Sequence, residues 1–89
     1  MLTPIHQKQF EKDLKKIQKR GKEIEKLKSI ITKLLNGESL PVKHRDHKLK
    51  GEFEGCWECH IEPDWLLIYE KTPEGLLLIR TGTHSDLFG

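Results

Sequence analysis

The sequence predicts an α+β fold, with a two-helix hairpin packed on one face of an antiparallel β-sheet of about four strands. Three observations carry that expectation. Apolar residues as far as Leu35 recur at the three- and four-residue spacings of a helix face. Beyond Lys43 the repeat shortens to two, the period of a strand. Two turn sequences, EPDW (Glu62–Trp65) and TPEG (Thr72–Gly75), then join three strand-like runs, which implies an antiparallel meander.

Met1–His6 is read as a further edge strand, where Pro4 is tolerated because an edge residue needs no ladder donor. From about Ile5 to Arg20, Phe10, Leu14 and Ile17 form one helical stripe, and Gly21 ends it. Ile24, Leu27, Ile30, Ile31, Leu34 and Leu35 form a second stripe. NGES (Asn36–Ser39) closes it, because Asn and Gly tolerate left-handed backbone angles. Neither stripe is wide enough for burial on all sides, so a sheet must cover both. The expected strands are His44–Lys48, Cys56–Glu62, Trp65–Lys71 and Leu76–Thr83. In both turns Pro presets its own φ, and Gly75 permits a tight reversal. With the helices on one side, the other face of the sheet is left to hold a site.

The 89 residues make a single domain, 1–89, with a limited core. No run approaches the ~20 apolar residues of a membrane span. The segment MLTPIHQKQFEKDLKK turns polar too soon for a secretory leader, and with two cysteines the expected compartment is the reducing cytoplasm. The net charge of +2 hides an asymmetry: residues 1–50 hold 14 Lys/Arg against 6 Asp/Glu, and residues 51–89 hold 2 against 8. The lysine-rich helices are either a solvated surface or the footprint of a polyanion such as nucleic acid, and composition does not choose between the two.

GCWECH (Gly55–His60) has the spacing of a c-type haem attachment and of a thiol redox site. On a strand, however, side chains alternate, so Cys56, Glu58, His60 and Glu62 share one face while Trp57, Cys59 and Ile61 share the other. Thiols on opposite faces cannot close a disulfide or clasp one metal ion. Cys59 is read as core filler, and His60 lands on a face without apolar neighbours from its own strand.

The same alternation in the last strand puts Leu77, Ile79 and Thr81 on one face, and Arg80, Gly82 and His84 on the other. Arg80 serves either a structural ion pair or a phosphate. Three histidines (His47, His60, His84), one carboxylate (Asp64), one arginine (Arg80) and two aromatics (Trp65, Phe88) are thus candidates to converge on the open face. RNA cleavage without a metal needs such a set. A base takes the 2′-hydroxyl proton, an acid protonates the departing 5′-oxygen, and a cation stabilises the pentacoordinate phosphate. Histidines suit both proton transfers, and aromatic rings hold unstacked bases. No H-x-x-x-H or H-x-H spacing supports a metal site, so no metal or cofactor is expected.

KHRDHKLKGEFEG, HIEPDWLLIYE and RTGTHSDLFG, spanning roughly residues 43–89, closely resemble the YafQ branch of the RelE/ParE toxin superfamily. The resemblance implies a RelE-like sheet flanked by helices and a toxin of a type II toxin–antitoxin pair. It implies an endoribonuclease, an mRNA interferase that cleaves mRNA within the translating ribosome, neutralised by a cognate antitoxin. Operator DNA is then met only through that antitoxin. The family's functional residues match His47, His60, Asp64, Trp65, Arg80, His84 and Phe88.

From face parity and motif match together, His84 is the expected general acid, with His60 or Asp64 as base. If His60 is the base, Asp64 orients it. Arg80 stabilises the phosphate, and His47 contacts it or shares proton transfer. Trp65 and Phe88 position bases, with packing the other reading of Trp65. Two further functions remain: a non-enzymatic module acting with its antitoxin in a DNA-binding autorepressor complex, and a gyrase poison of the kind found among superfamily cousins.

Overall fold

The structure, a computed structural model, describes residues 3–89. Its elements are β1 (Thr3–His6), α1 (Lys8–Lys19), α2 (Ile24–Leu35), β2 (His47–Lys48), β3 (Trp57–Glu62), β4 (Trp65–Lys71), β5 (Gly75–Gly82) and α3 (His84–Phe88), with single 3-10 turns at Val42–His44 and Gly51–Phe53. The α+β architecture stands as expected, with five strands in the order β1-β5-β4-β3-β2 rather than about four. The β2–β5 pairs are antiparallel, and β1 lies parallel to β5 at the edge. Met1 and Leu2, read as part of that edge strand, lie outside the described residues. The first helix begins at Lys8, not near Ile5, because Thr3–His6 is used in the sheet.

Both long helices end as glycine-terminated helices do. Gly21 and Gly37 sit at φ 80° and 74°, and the next amides, Lys22 and Glu38, donate back to Ile17 and Lys33 carbonyls. The segment read as a strand from His44 is mostly not one. Val42–His44 coils into a 3-10 turn, and only His47 and Lys48 pair with β3.

The helices cover one sheet face. Phe10, Ile17, Leu27, Ile30 and Leu34 pack against Cys59, Ile61, Trp65, Leu67, Tyr69, Leu76 and Leu78. Burying each such aliphatic or aromatic side chain is worth about 1.5–3 kcal/mol. The opposite face is not bare, as the sequence reading had it. Cys56, Leu66, Ile68 and Leu87 form a second small core there, flanked by Leu49, Phe53 and Ile79. The run WLLIY in β4 is therefore buried on both faces, and α3 folds back to place Leu87 against it.

Two bulges revise the parity assignments. Between Ile68 and Tyr69 of β4 the register with β5 slips, leaving Ile79 unpaired. Leu76 and Leu78 consequently face the helices, while Ile79 joins the opposite core and Leu77 opposes Glu70. Between His60 and Glu62 the β3–β4 register slips as well. Glu62 therefore does not share a face with His60: it opposes Trp65 and pairs with Lys22 and Lys26 beside α2, at 3.1 and 2.7 Å.

Candidate active site

Three histidines form a row on the sheet face opposite the helices. His47 leads from β2, His60 stands on β3 across Leu66, and His84 is the first residue of α3. Ring centroids are 6.5 Å apart for His47 and His60, and 5.7 Å for His60 and His84. The strand alternation expected for GCWECHIE holds as far as His60, so Cys59 is buried among the helix-side residues and Cys56 lies opposite. Burial pushes the Cys59 thiol far above its ordinary range, and both cysteines are free.

Two of these imidazoles have one ring nitrogen fixed. The His84 Nδ1–H donates to Asp64 Oδ1 at 2.6 Å, and the His84 backbone N–H donates to the same oxygen at 3.0 Å. Asp64 lies in the two-residue turn between β3 and β4, so the EPDW turn aims a carboxylate at the start of α3. That backbone donor, with the imidazole behind it, holds the Asp64 carboxyl below its ordinary range. The His47 Nδ1–H donates to the Arg45 carbonyl at 2.5 Å. His84 thus keeps Nε2 for chemistry, with its tautomer set by Asp64, whereas the Nε2 of His47 faces Glu58. Asp64 orients His84 and not His60, which corrects one of the expected arrangements.

Glu58 is the site residue to which sequence reasoning gave no role. It is 5% exposed, and its Oε1 lies 3.5 Å from His47 Nε2 and 3.4 Å from His60 Nε2. The alternation had placed it on the His60 face, and a carboxylate two residues from that histidine was the one signal in the sequence. Phe53 was also missed. It meets Phe88 edge to face at 5.9 Å, and Phe88 itself is half exposed.

Arg80 and Trp65 depart from the expected convergence. Register places Arg80 opposite Ile68, on the histidine side, yet its guanidinium is held by Asp13 of α1. The Nε donor lies 2.7 Å from Asp13 Oδ2 and Nη2 3.3 Å from Oδ1. The cause lies in β1, which pairs with β5 only as far as Leu78. The β5 edge beyond it is open, and buried Asp13 fills it, accepting also from the Thr81 N–H at 3.2 Å and Gln9 Nε2 at 3.1 Å. Arg80 Nη1 has no internal partner among the described residues. Trp65 is fully buried on the helix side, with its indole N–H donating to Thr81 Oγ1 at 3.0 Å. A base cannot stack on it there, so Trp65 packs.

The turn of helix that His84 begins is tied to the rest of the fold. Thr83 and Asp86 form a reciprocal capping box, and Asp86 also binds Arg20 through two contacts, 2.5 and 2.9 Å, and Lys16 at 3.3 Å. A Cβ on Gly82 would come within 2.8 Å of Asp86 Oδ2, so glycine is required at that approach. The Arg20 hydrogen bond, then the Thr83 amide and Lys16, hold the Asp86 carboxyl far below its ordinary range against opposing desolvation. A carboxylate depressed on folding stabilises fully above its unfolded pKa and ceases to do so as pH falls toward the folded one. The urea midpoint should therefore drop on acidification from about pH 5 to about pH 2, less steeply in Asp86→Asn. Equal slopes in the two proteins would disprove this anchoring role.

Among the described residues, no group of three or more His, Cys, Asp or Glu side chains is disposed to hold a metal ion, and no helix is long and apolar enough to cross a membrane. The family model for a bacterial toxin of type II toxin–antitoxin systems, YafQ, matches residues 2–89. The chain belongs to the YafQ family. The mRNA interferase toxin YafQ of Escherichia coli K12 is 48% identical over 82 residues, covering 91% of this chain and 89% of that protein. The YafQ fold is equally close. The crystal structure of the Escherichia coli DinJ–YafQ complex matches with a TM-score of 0.91 and 43% identity over all of both chains. A metal-bound toxin from Helicobacter pylori matches at 0.92 and 42%, over 99% of this chain and all of that one.

Proposed function

We propose that this protein is an mRNA interferase, the toxin of a type II pair, which cuts mRNA in the translating ribosome by attack of the 2′-hydroxyl on the adjacent phosphate. The observation that carries this is the His60–His84 pair, 5.7 Å apart on one sheet face, with His84 Nδ1 locked by Asp64. Two imidazoles at that separation suit proton removal from the 2′-oxygen and proton delivery to the 5′-oxygen of one phosphodiester. The name borne by the Escherichia coli relative supports the same reading.

The geometry supports one assignment of roles. His84 acts as general acid through Nε2, since Asp64 occupies Nδ1. His60 acts as base with Glu58 beside it, and His47 contacts the phosphate from the end of the row. Arg80 supplies the cation through Nη1 while Asp13 steadies the other two donors. Phe88 offers an exposed ring for a base. No metal ion takes part in the proton transfers. The cognate antitoxin is the protein partner, as DinJ is for the Escherichia coli relative in their complex. Operator DNA is reached only through the antitoxin, and the site of action is the cytoplasm.

Exposed Lys8, Lys12, Lys15 and Lys19 remain on α1 for ribosomal RNA, whereas Lys16, Arg20, Lys22 and Lys26 are spent on Asp86 and Glu62. Primer extension on mRNA translated in a reconstituted system tests the proposal. We expect breaks that require translation and leave 5′-hydroxyl and 2′,3′-cyclic phosphate ends. A 2′-deoxy nucleotide on the 5′ side of the cut should abolish them. Breaks with 5′-phosphate ends, or cleavage that survives the deoxy substitution, would refute it; intact mRNA with DNA damage would indicate a gyrase poison.

A further inference from the structure

A cleft of about 860 Å³ opens beside the histidine row, between α2 and the Val42–Arg45 turn, and the reaction assigned above does not use it. His60 belongs to both the row and the cleft wall. Lys33, Lys43 and Arg45 line it, and none has an ion-pair partner among the described residues. Lys33 is half-buried, a position in which a lysine without a counter-charge is costly. The acidic residues of the wall are already matched: Glu62 by Lys22 and Lys26, and Glu25 by Lys28 at 3.5 Å. The cleft therefore carries a net positive field with no internal anion to satisfy it.

The turn bearing Arg45 is built with strain and tied to the row. Arg45 has φ 46°, the one non-glycine residue with a positive φ among the described residues, a conformation that L side chains adopt only at a cost. The His44 Nδ1–H donates to the His60 carbonyl at 2.6 Å, and the Arg45 carbonyl accepts from His47. The Tyr69 hydroxyl donates to Asp46 from the core. The segment 44–46 thus places Arg45 in the cleft wall and contacts two histidines of the row.

We propose that this cleft is a second phosphate subsite, which takes a backbone phosphate of the RNA strand adjacent to the scissile one on Lys33, Lys43 and Arg45. The proposal rests on the ribonuclease reading and adds the direction in which the strand leaves the histidines, along β3 toward α2. Single-stranded RNA is the occupant because the cleft is continuous with His60, so a strand seated on the row extends into it without a second attachment.

Amide chemical-shift mapping of the full chain tests this apart from cleavage, using 2′-O-methyl RNA that cannot be cut. A hexanucleotide should shift Lys33, Lys43 and Arg45 together with the histidine row, at one dissociation constant. A dinucleotide should shift the row alone. In Lys33→Gln/Lys43→Gln/Arg45→Gln, hexanucleotide affinity should fall about tenfold and the slope of log K against log salt should shrink by about 0.7 for the phosphate lost. Circular dichroism should show that the triple variant stays folded, with a melt no lower than wild type, since neutralising half-buried Lys33 removes an unpaired charge. A hexanucleotide that leaves the cleft amides still, or a triple variant that binds RNA as before, overturns the subsite whether or not the protein cleaves mRNA. So does a triple variant that loses affinity for an acidic peptide while keeping its affinity for RNA, which would make the cleft an antitoxin site.

Discussion

His84→Ala should lower single-turnover cleavage of mRNA on programmed ribosomes by about 10²–10⁴-fold, the range for removing one positioned proton-transfer group. The loss should fall on the chemical step and leave ribosome binding intact. The side chain is about half exposed, so its removal opens no cavity. The helix it begins is held by the Thr83–Asp86 box and by Arg20, not by the imidazole. Asp64→Asn should cost less, because an amide oxygen still accepts from the His84 N–H groups but no longer presents a charge to the ring. Its melting curve should stay close to wild type, since Asp64 is exposed. Full activity in His84→Ala would eliminate His84 as the acid; a larger loss in Asp64→Asn than in His84→Ala would transfer the leading role to the carboxylate.

The pieces of this site that the sequence exposed were those set by local alternation. His60, Glu58 and Cys56 fall on one face because β3 is regular up to His60, and the helix stripes and their glycine ends follow from local chemistry in the same way. What escaped was set by features of pairing that leave no mark in a single strand. The bulge at Ile79 appears only when β5 is laid against β4, and it exchanges the faces of Leu77, Leu78 and Ile79. The diversion of Arg80 depends on where β1 stops pairing and on an aspartate 67 residues away. Trp65 was ambiguous because a tryptophan after a turn can stack on a ligand or fill a core, and only the Thr81 hydroxyl behind it decides. The continuous apolar run in β4 did carry the signal of a second covered face, since a strand with one solvated face would have alternated.

The Asp13–Arg80 pair should give the largest change in stability. Asp13 is 6% exposed and accepts from four donors, two on Arg80, one on Gln9 and one on the Thr81 backbone. Asp13→Ala leaves the Thr81 N–H buried without a partner and the guanidinium without its counter-charge. Removing one member of a fully buried pair costs about 3–5 kcal/mol. Arg80 is 22% exposed and regains some hydration, so about 2–4 kcal/mol is expected here. For a domain of this size that corresponds to a fall in Tm of roughly 10–20 °C. The reciprocal change, Arg80→Ala, strands the carboxylate instead, and the double variant should be more stable than the sum of the single losses implies. Activity separates the two functions of the arginine. Per folded molecule, Asp13→Ala should slow cleavage by about 10²-fold, because Arg80 keeps its charge but loses the support that fixes Nη1. Arg80→Ala should slow it further. If cleavage per folded molecule is unchanged in both, Arg80 is a strut between α1 and β5 and the phosphate must find its cation elsewhere.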